Sequence, residues 1–189
     1  QVLFEENQSA GIIAHTQEDA ENIFRNKIMF AWDNLSDELK SSYGVDTSNA
    51  KQLKFNNGGS IRVATSMRSD TLQYLLITEL GTLALKYPEK AKEVISGSLN
   101  TIHRGQMLII ESTAKGQSGK FYDLCMMALN FARSKRKLSQ MDYKFFFFAW
   151  FLNPEYEMTD TDVVIPQAMT DYFNKIEVMA ENPDATRGL

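Results

Sequence analysis

An α/β fold with a mainly parallel central sheet flanked by helices is what this sequence predicts, and three observations predict it. Short apolar runs without period-2 alternation recur along the chain, with Leu75-Leu76-Ile77 the clearest; strands buried on both faces read this way. Segments of helical spacing separate those runs, as a parallel sheet with crossover helices requires. A length of 189 residues, with 43% hydrophobic and 23% charged, suits one domain with a sizeable core.

Gly11 to His15 reads as a short buried strand. Thr16 with Asp19 forms a T-x-x-D helix start, and Ala20, Ile23, Phe24, Ile28, Ala31 and Leu35 follow at helical spacing. Ser36 to Ala50 is polar and contains Gly44, so it reads as loop with some helix. Leu53–Phe55 and Ile61–Thr65 flank Asn56-Asn57-Gly58-Gly59, a β-hairpin signal. The run from Leu72 then stops at Glu79, ahead of Gly81, a glycine suited to a tight turn.

Pro88 opens a helix carrying Ala91, Val94, Ile95, Leu99 and Ile102, since proline is tolerated in the first turn. Met107 to Ile110 is another buried strand, closed by Glu111-Ser112-Thr113. Gly119 to Phe131 reads as a helix with Leu124, Met127, Ala128 and Phe131 inward. Lys144 to Trp150 is expected to be a strand, with Phe145–Phe148, Trp150 and Phe151 in the core; Pro166 to Ala180 closes as an amphipathic helix.

Composition narrows the function classes. No apolar run approaches the roughly 20 residues a membrane span needs, and no signal peptide is visible, so no membrane partner is expected. The single cysteine, Cys125, allows no internal disulfide and fits a reducing cytosol. Cys125, His15 and His103 lack zinc-site spacing. A net charge of −4 argues against a nucleic-acid-coated protein, although Arg133, Lys135, Arg136 and Lys137 form a local basic cluster. That cluster also suits a helix C-terminus, which favours cations.

In open α/β sheets, ligands sit beyond the carboxyl ends of the strands, so Glu79 and Glu111 stand where a general base or metal-side carboxylate would act. Strand ends are also where solvated acids belong in any fold. Arg68, in a loop ahead of Glu79, could stabilise phosphate charge or simply be exposed. Ala114 to Phe121 nearly spells the phosphate loop G-x-x-x-x-G-K-[ST]. It places Phe121 where a hydroxyl must bind Mg²⁺, so a strand-to-helix turn is the better reading.

Taken in order, these segments resemble the ATPase domain of the large terminase subunit of tailed bacteriophages and prophages. GIIAHTQEDAENIF, GGSIRVATSMRSDTLQYLLITELG, MLIIESTAKGQSGKFYDL and FFFFAWFLNPEYEM are similar to successive family segments over Gly11 to Tyr156. The resemblance implies a RecA-like (ASCE) P-loop NTPase core that hydrolyses ATP with Mg²⁺ to drive viral DNA into the procapsid. Glu79 then matches the Walker B glutamate that activates water, and Arg68 an arginine acting on a neighbouring subunit's ATP. Thr78 takes the place of the usual aspartate and would reach Mg²⁺ through a bound water. Ser112 and Thr113, with Glu111 before them, match the coupling motif that senses the γ-phosphate.

The same resemblance implies partners and a setting: double-stranded viral DNA, the small terminase subunit, the portal protein, and self-association into a ring on the procapsid. It implies the bacterial host cytoplasm, outside the mature virion. No Walker A loop precedes Gly11 and the chain opens on Gln1. Residues 1–189 are therefore expected to be a partial ATPase domain, with 166–189 a helix and tail leading towards an absent nuclease domain. Such a fragment is expected to bind no nucleotide tightly and to be inactive alone. Two other readings stand beside it: a non-catalytic DNA-binding or assembly module (a decayed prophage remnant), and a metal nuclease using Glu79, Glu111, Asp160 and Asp162.

Overall fold

The structure, a computed structural model, describes residues 1–68, 71–103, 105–149, 153–156 and 164–181. Among these residues, six strands form one mixed sheet in the order β2-β3-β4-β1-β5-β6. They are β1 (Ser9–Ile13), β2 (Val45–Ser48), β3 (Gln52–Phe55), β4 (Ser60–Ala64), β5 (Tyr74–Ile77) and β6 (Met107–Ile110). β1 lies between β4 and β5, parallel to both, and β6 adds in parallel beside β5. β2 and β3 extend the other end antiparallel. The expected mainly parallel sheet is thus a four-stranded parallel block with an antiparallel ribbon at one edge.

Alternate side chains feed two apolar layers. Ile13, Leu75 and Ile77 pack with helices α4 (Leu80–Lys86) and α5 (Pro88–Leu99), through Leu80, Leu83, Ala91, Val94 and Ile95. On the opposite face, Leu53, Phe55 and Val63 pack with Ala20 and Phe24, with Ile12, Tyr74 and Trp32 partly buried beside them. That helical layer starts at α1 (Gln17–Ile23), whose N-cap Thr16 accepts the Asp19 N–H at 3.1 Å. The single expected helix is broken by a π-helical stretch, Phe24–Met29, before α2 (Phe30–Asp33), and α3 (Asp37–Ser42) follows.

The hairpin forms where the two asparagines and two glycines stand. Gly58 takes φ 78°, a conformation glycine adopts without steric cost, and the Phe55 N–H donates to the Gly59 carbonyl at 2.8 Å. The Asn57 side-chain amide reaches back to the Leu3 carbonyl at 2.9 Å, fastening the first residues to the turn. In residues 36–50, read as loop with some helix, α3 is that helix and β2 is a strand that the reading lacked. Asp46, Thr47 and Ser48 are exposed, so this edge strand carries no apolar pattern to reveal it.

The larger correction concerns residues 144–149. No ladder pairs them with the six-stranded sheet, and they form no strand. Phe146, Phe147 and Phe148 are exposed and only Ala149 is buried, so the expected aromatic core strand is absent. An apolar run becomes a strand only when a neighbour accepts its backbone hydrogen bonds, and among the described residues none does. Trp150, Phe151, Asp160, Asp162 and the tail 182–189 lie outside the described residues. Met127 on α6 (Lys120–Arg133) and Leu99 on α5 are likewise exposed rather than inward. The last helix, α7 (Gln167–Glu181), forms where expected, with Met169 and Tyr172 exposed.

Candidate active site at the carboxyl ends of β5 and β6

Strand β5 runs out at Ile77, and the Thr78 N–H continues the ladder by donating to the Ile13 carbonyl at 3.0 Å. The chain then turns into α4 within one residue. That residue is Glu79, with φ 55° and ψ 35°. A left-handed conformation at a non-glycine residue costs about 1–3 kcal/mol and persists only where its surroundings enforce it. Leu80 and Leu83, buried just beyond, supply that enforcement, and the Leu83 N–H donates to the Glu79 carbonyl at 3.0 Å. The tight turn expected at Gly81 is therefore made by Glu79 itself.

Gly81 has a different task. A Cβ there would stand 2.8 Å from Ser112 Oγ and 2.9 Å from the Thr113 carbonyl oxygen, so only glycine admits this approach without displacement. The Gly81 N–H donates to Ser112 Oγ at 3.0 Å, and the Ser112 hydroxyl donates in turn to the Thr113 carbonyl at 2.9 Å. The Leu80 N–H makes a long contact of 3.4 Å to the Glu111 carbonyl, whose own N–H bonds the Ile77 carbonyl at 3.0 Å. The first N–H groups of a helix lack intrahelical partners. In α4 they are met by the residues that end β6, which fastens the two strand ends together.

The structure thus brings Thr78, Glu79, Glu111, Ser112 and Thr113 to one edge of the sheet. Glu79 is half-buried and its Oε2 accepts the Thr82 hydroxyl at 2.8 Å; Glu111 is exposed. Arg68 goes elsewhere. It forms an ion pair with Glu93 on α5 and lines a small cavity with Ser66, Met67, Lys90 and Val94. Thr82 is the residue that sequence reasoning missed. Its signal was its place three residues after Glu79, where side chains meet once a helix starts.

The remaining candidates resolve into local roles. Phe121 packs partly buried against the α4–α5 cluster, so the near-miss phosphate loop spends its last position on the core. Arg136 pairs with Asp142 at 3.1 Å and stands 4.5 Å from the centre of the Phe131 ring. His15 pairs with Asp19 at 3.2 Å. Burial pushes the Cys125 thiol up, which disfavours the reactive thiolate. Among the described residues no group of three or more His, Cys, Asp or Glu is arranged to hold a metal ion, and no helix is long and apolar enough to cross a membrane.

In fold, the chain is similar to a bacteriophage large terminase. The solved structure concerned is the crystal structure of the HK97 bacteriophage large terminase, at 13% identity and a TM-score of 0.54. The match covers 95% of this chain and 38% of that one, so this chain spans about two fifths of its structural neighbour. No family profile matches the sequence, and no curated protein does.

Proposed function

We propose that this chain is part of the ATPase motor of a phage terminase large subunit, with a RecA-like core, and that ATP is hydrolysed at the ends of β5 and β6. The observation that carries the reading is the hydrogen bond from the Gly81 N–H, two residues after Glu79, to Ser112 Oγ, which ties together the ends of two adjacent parallel strands. Brought to the carboxyl edge of a sheet, an acid and a hydroxyl motif occupy the usual ligand side.

The oxygen donors at this edge, the Thr78 hydroxyl and the Glu79 and Glu111 carboxylates, are of the hard type that hydrated Mg²⁺ accepts. Thr78 would hold a water of that ion, which when bound neutralises phosphate charge. Glu79 takes the proton of a water whose oxygen bonds the terminal phosphorus. The bridging oxygen leaves with its electron pair on ADP. Ser112 and Thr113, tied to α4, carry the change in phosphate occupancy into the helix. Arg68 would serve a neighbouring subunit's ATP after releasing Glu93. The Walker A donors for the phosphates would come from beyond residues 1–189. In this reading the whole protein forms a ring on the procapsid portal, with the small terminase subunit, and moves double-stranded viral DNA in the host cytoplasm.

ATP turnover by the full-length gene product tests this reading. Mg²⁺-dependent hydrolysis is expected, and its absence in a folded preparation overturns it. A non-catalytic assembly module is the second reading, favoured by the exposed Phe146–Phe148 run. That reading requires the absence of turnover in the same assay.

A further inference from the structure

We propose that Thr82 is a positioning residue for Glu79, holding its carboxylate in one conformation for proton transfer. The inference rests on the reading of Glu79 as the water-activating base and deepens it. Three observations carry it. The Thr82 hydroxyl donates to Glu79 Oε2 at 2.8 Å, and among the described residues no other side chain bonds that carboxylate. Oε1 is thereby left to accept a proton.

Thr82 also stands on a fixed element. It is half-buried in α4, between the buried Gly81 and Leu83, and Gly81 is bonded to Ser112. The backbone of Glu79 is itself held in the left-handed region, which starts its side chain from one set direction. Backbone, side chain and neighbouring strand end are thus constrained together, the condition for a preorganised base. Glu111, at the end of β6, is exposed, and among the described residues no side chain bonds its carboxylate as Thr82 bonds that of Glu79. Thr82 therefore distinguishes the two acids of this edge.

The test uses the full-length gene product with Thr82→Val, Thr82→Ser, Glu79→Gln and the pair Glu79→Gln/Thr82→Val. Thr82→Val is expected to lower kcat about tenfold, with KM for ATP and the urea midpoint unchanged. Thr82→Ser keeps the hydroxyl and is expected to restore kcat to within about twofold. In the Glu79→Gln background, Thr82→Val is expected to cost nothing further, since it acts through Glu79. If Glu79→Gln abolishes turnover but Thr82→Val leaves kcat intact, the positioning role is overturned and the base assignment stands. If Thr82→Val costs as much in the Glu79→Gln background, or its effect follows a fallen urea midpoint that serine does not restore, the role is structural and the proposal fails. Full turnover by Glu79→Gln overturns the base assignment and the proposal with it.

Discussion

β5 and β6 are neighbouring parallel strands of nearly the same composition, Tyr-Leu-Leu-Ile against Met-Leu-Ile-Ile, yet their surroundings differ. Leu75 and Ile77 are each 1% exposed, whereas Met107 and Ile109 are 52% and 50% exposed. Register explains the contrast. Leu108 and Ile110 align with Leu75 and Ile77 and pack on the α4–α5 layer. Met107 and Ile109 align with Tyr74 and Leu76 on the other face, and neither belongs to the cluster built around α1 and α2. The same lesson extends to Phe146–Phe148. An apolar run declares that a strand or a core contact is available, and the neighbours decide whether it is used.

The largest test of this contrast is truncation on the two sides. Leu83→Ala, in the layer over β5, is expected to cost about 2–5 kcal/mol by urea denaturation. Ile109→Ala is expected to cost about 1 kcal/mol or less, because half of that side chain already meets water. Equal losses would break the comparison.

A smaller effect probes the seam between the strand ends. Gly81→Ala forces a Cβ against Ser112 Oγ and the Thr113 backbone, and is expected to cost about 1–3 kcal/mol through the shift required. Gly97→Ala, in α5, is the control for simple glycine replacement within a helix, since the nearest side chain stands at an ordinary 3.4 Å from its Cβ position. A larger loss at Gly97 than at Gly81 would deny the close approach its importance.

The smallest effect belongs to the segment after α6. The Ser139 backbone N–H, then its hydroxyl and the Arg136 guanidinium, hold the Asp142 carboxyl below the usual carboxylate range. A depressed folded pKa means that the tether is fully present above the unfolded value and is lost as pH falls through the folded one. Carbon-detected titration of Asp142 is expected to give a midpoint below that of an unstructured aspartate. An ordinary midpoint would place this segment with the unconstrained surface.

Much of the parallel block was legible in the sequence. β1, β5 and β6 announce themselves through continuous apolar residues, and β3 and β4 through the asparagines and glycines of the hairpin between them. Glu79 was legible because an apolar strand stops at it. What failed has physical causes. β2 is a polar edge strand whose pattern carries no burial signal, and residues 144–149 have the pattern without the partner. The left-handed backbone of Glu79 is imposed by the burial of Leu80 and Leu83, a tertiary effect that local sequence does not encode. Gly81 was recognised as special for the wrong reason, turn formation in place of close approach. Arg68 was placed in its loop correctly, but its ion pair depends on Glu93, a residue on a separate helix.

In the proposed reading, Glu79 is the residue that separates nucleotide binding from nucleotide hydrolysis. Paired measurement of ATP affinity and ATP turnover in the full-length gene product, wild type against Glu79→Gln, tests this most directly. Turnover is expected to fall at least ~100-fold while affinity stays within about twofold, as for removal of a general base. Turnover that survives the substitution, or affinity that collapses together with it, would contradict the assignment.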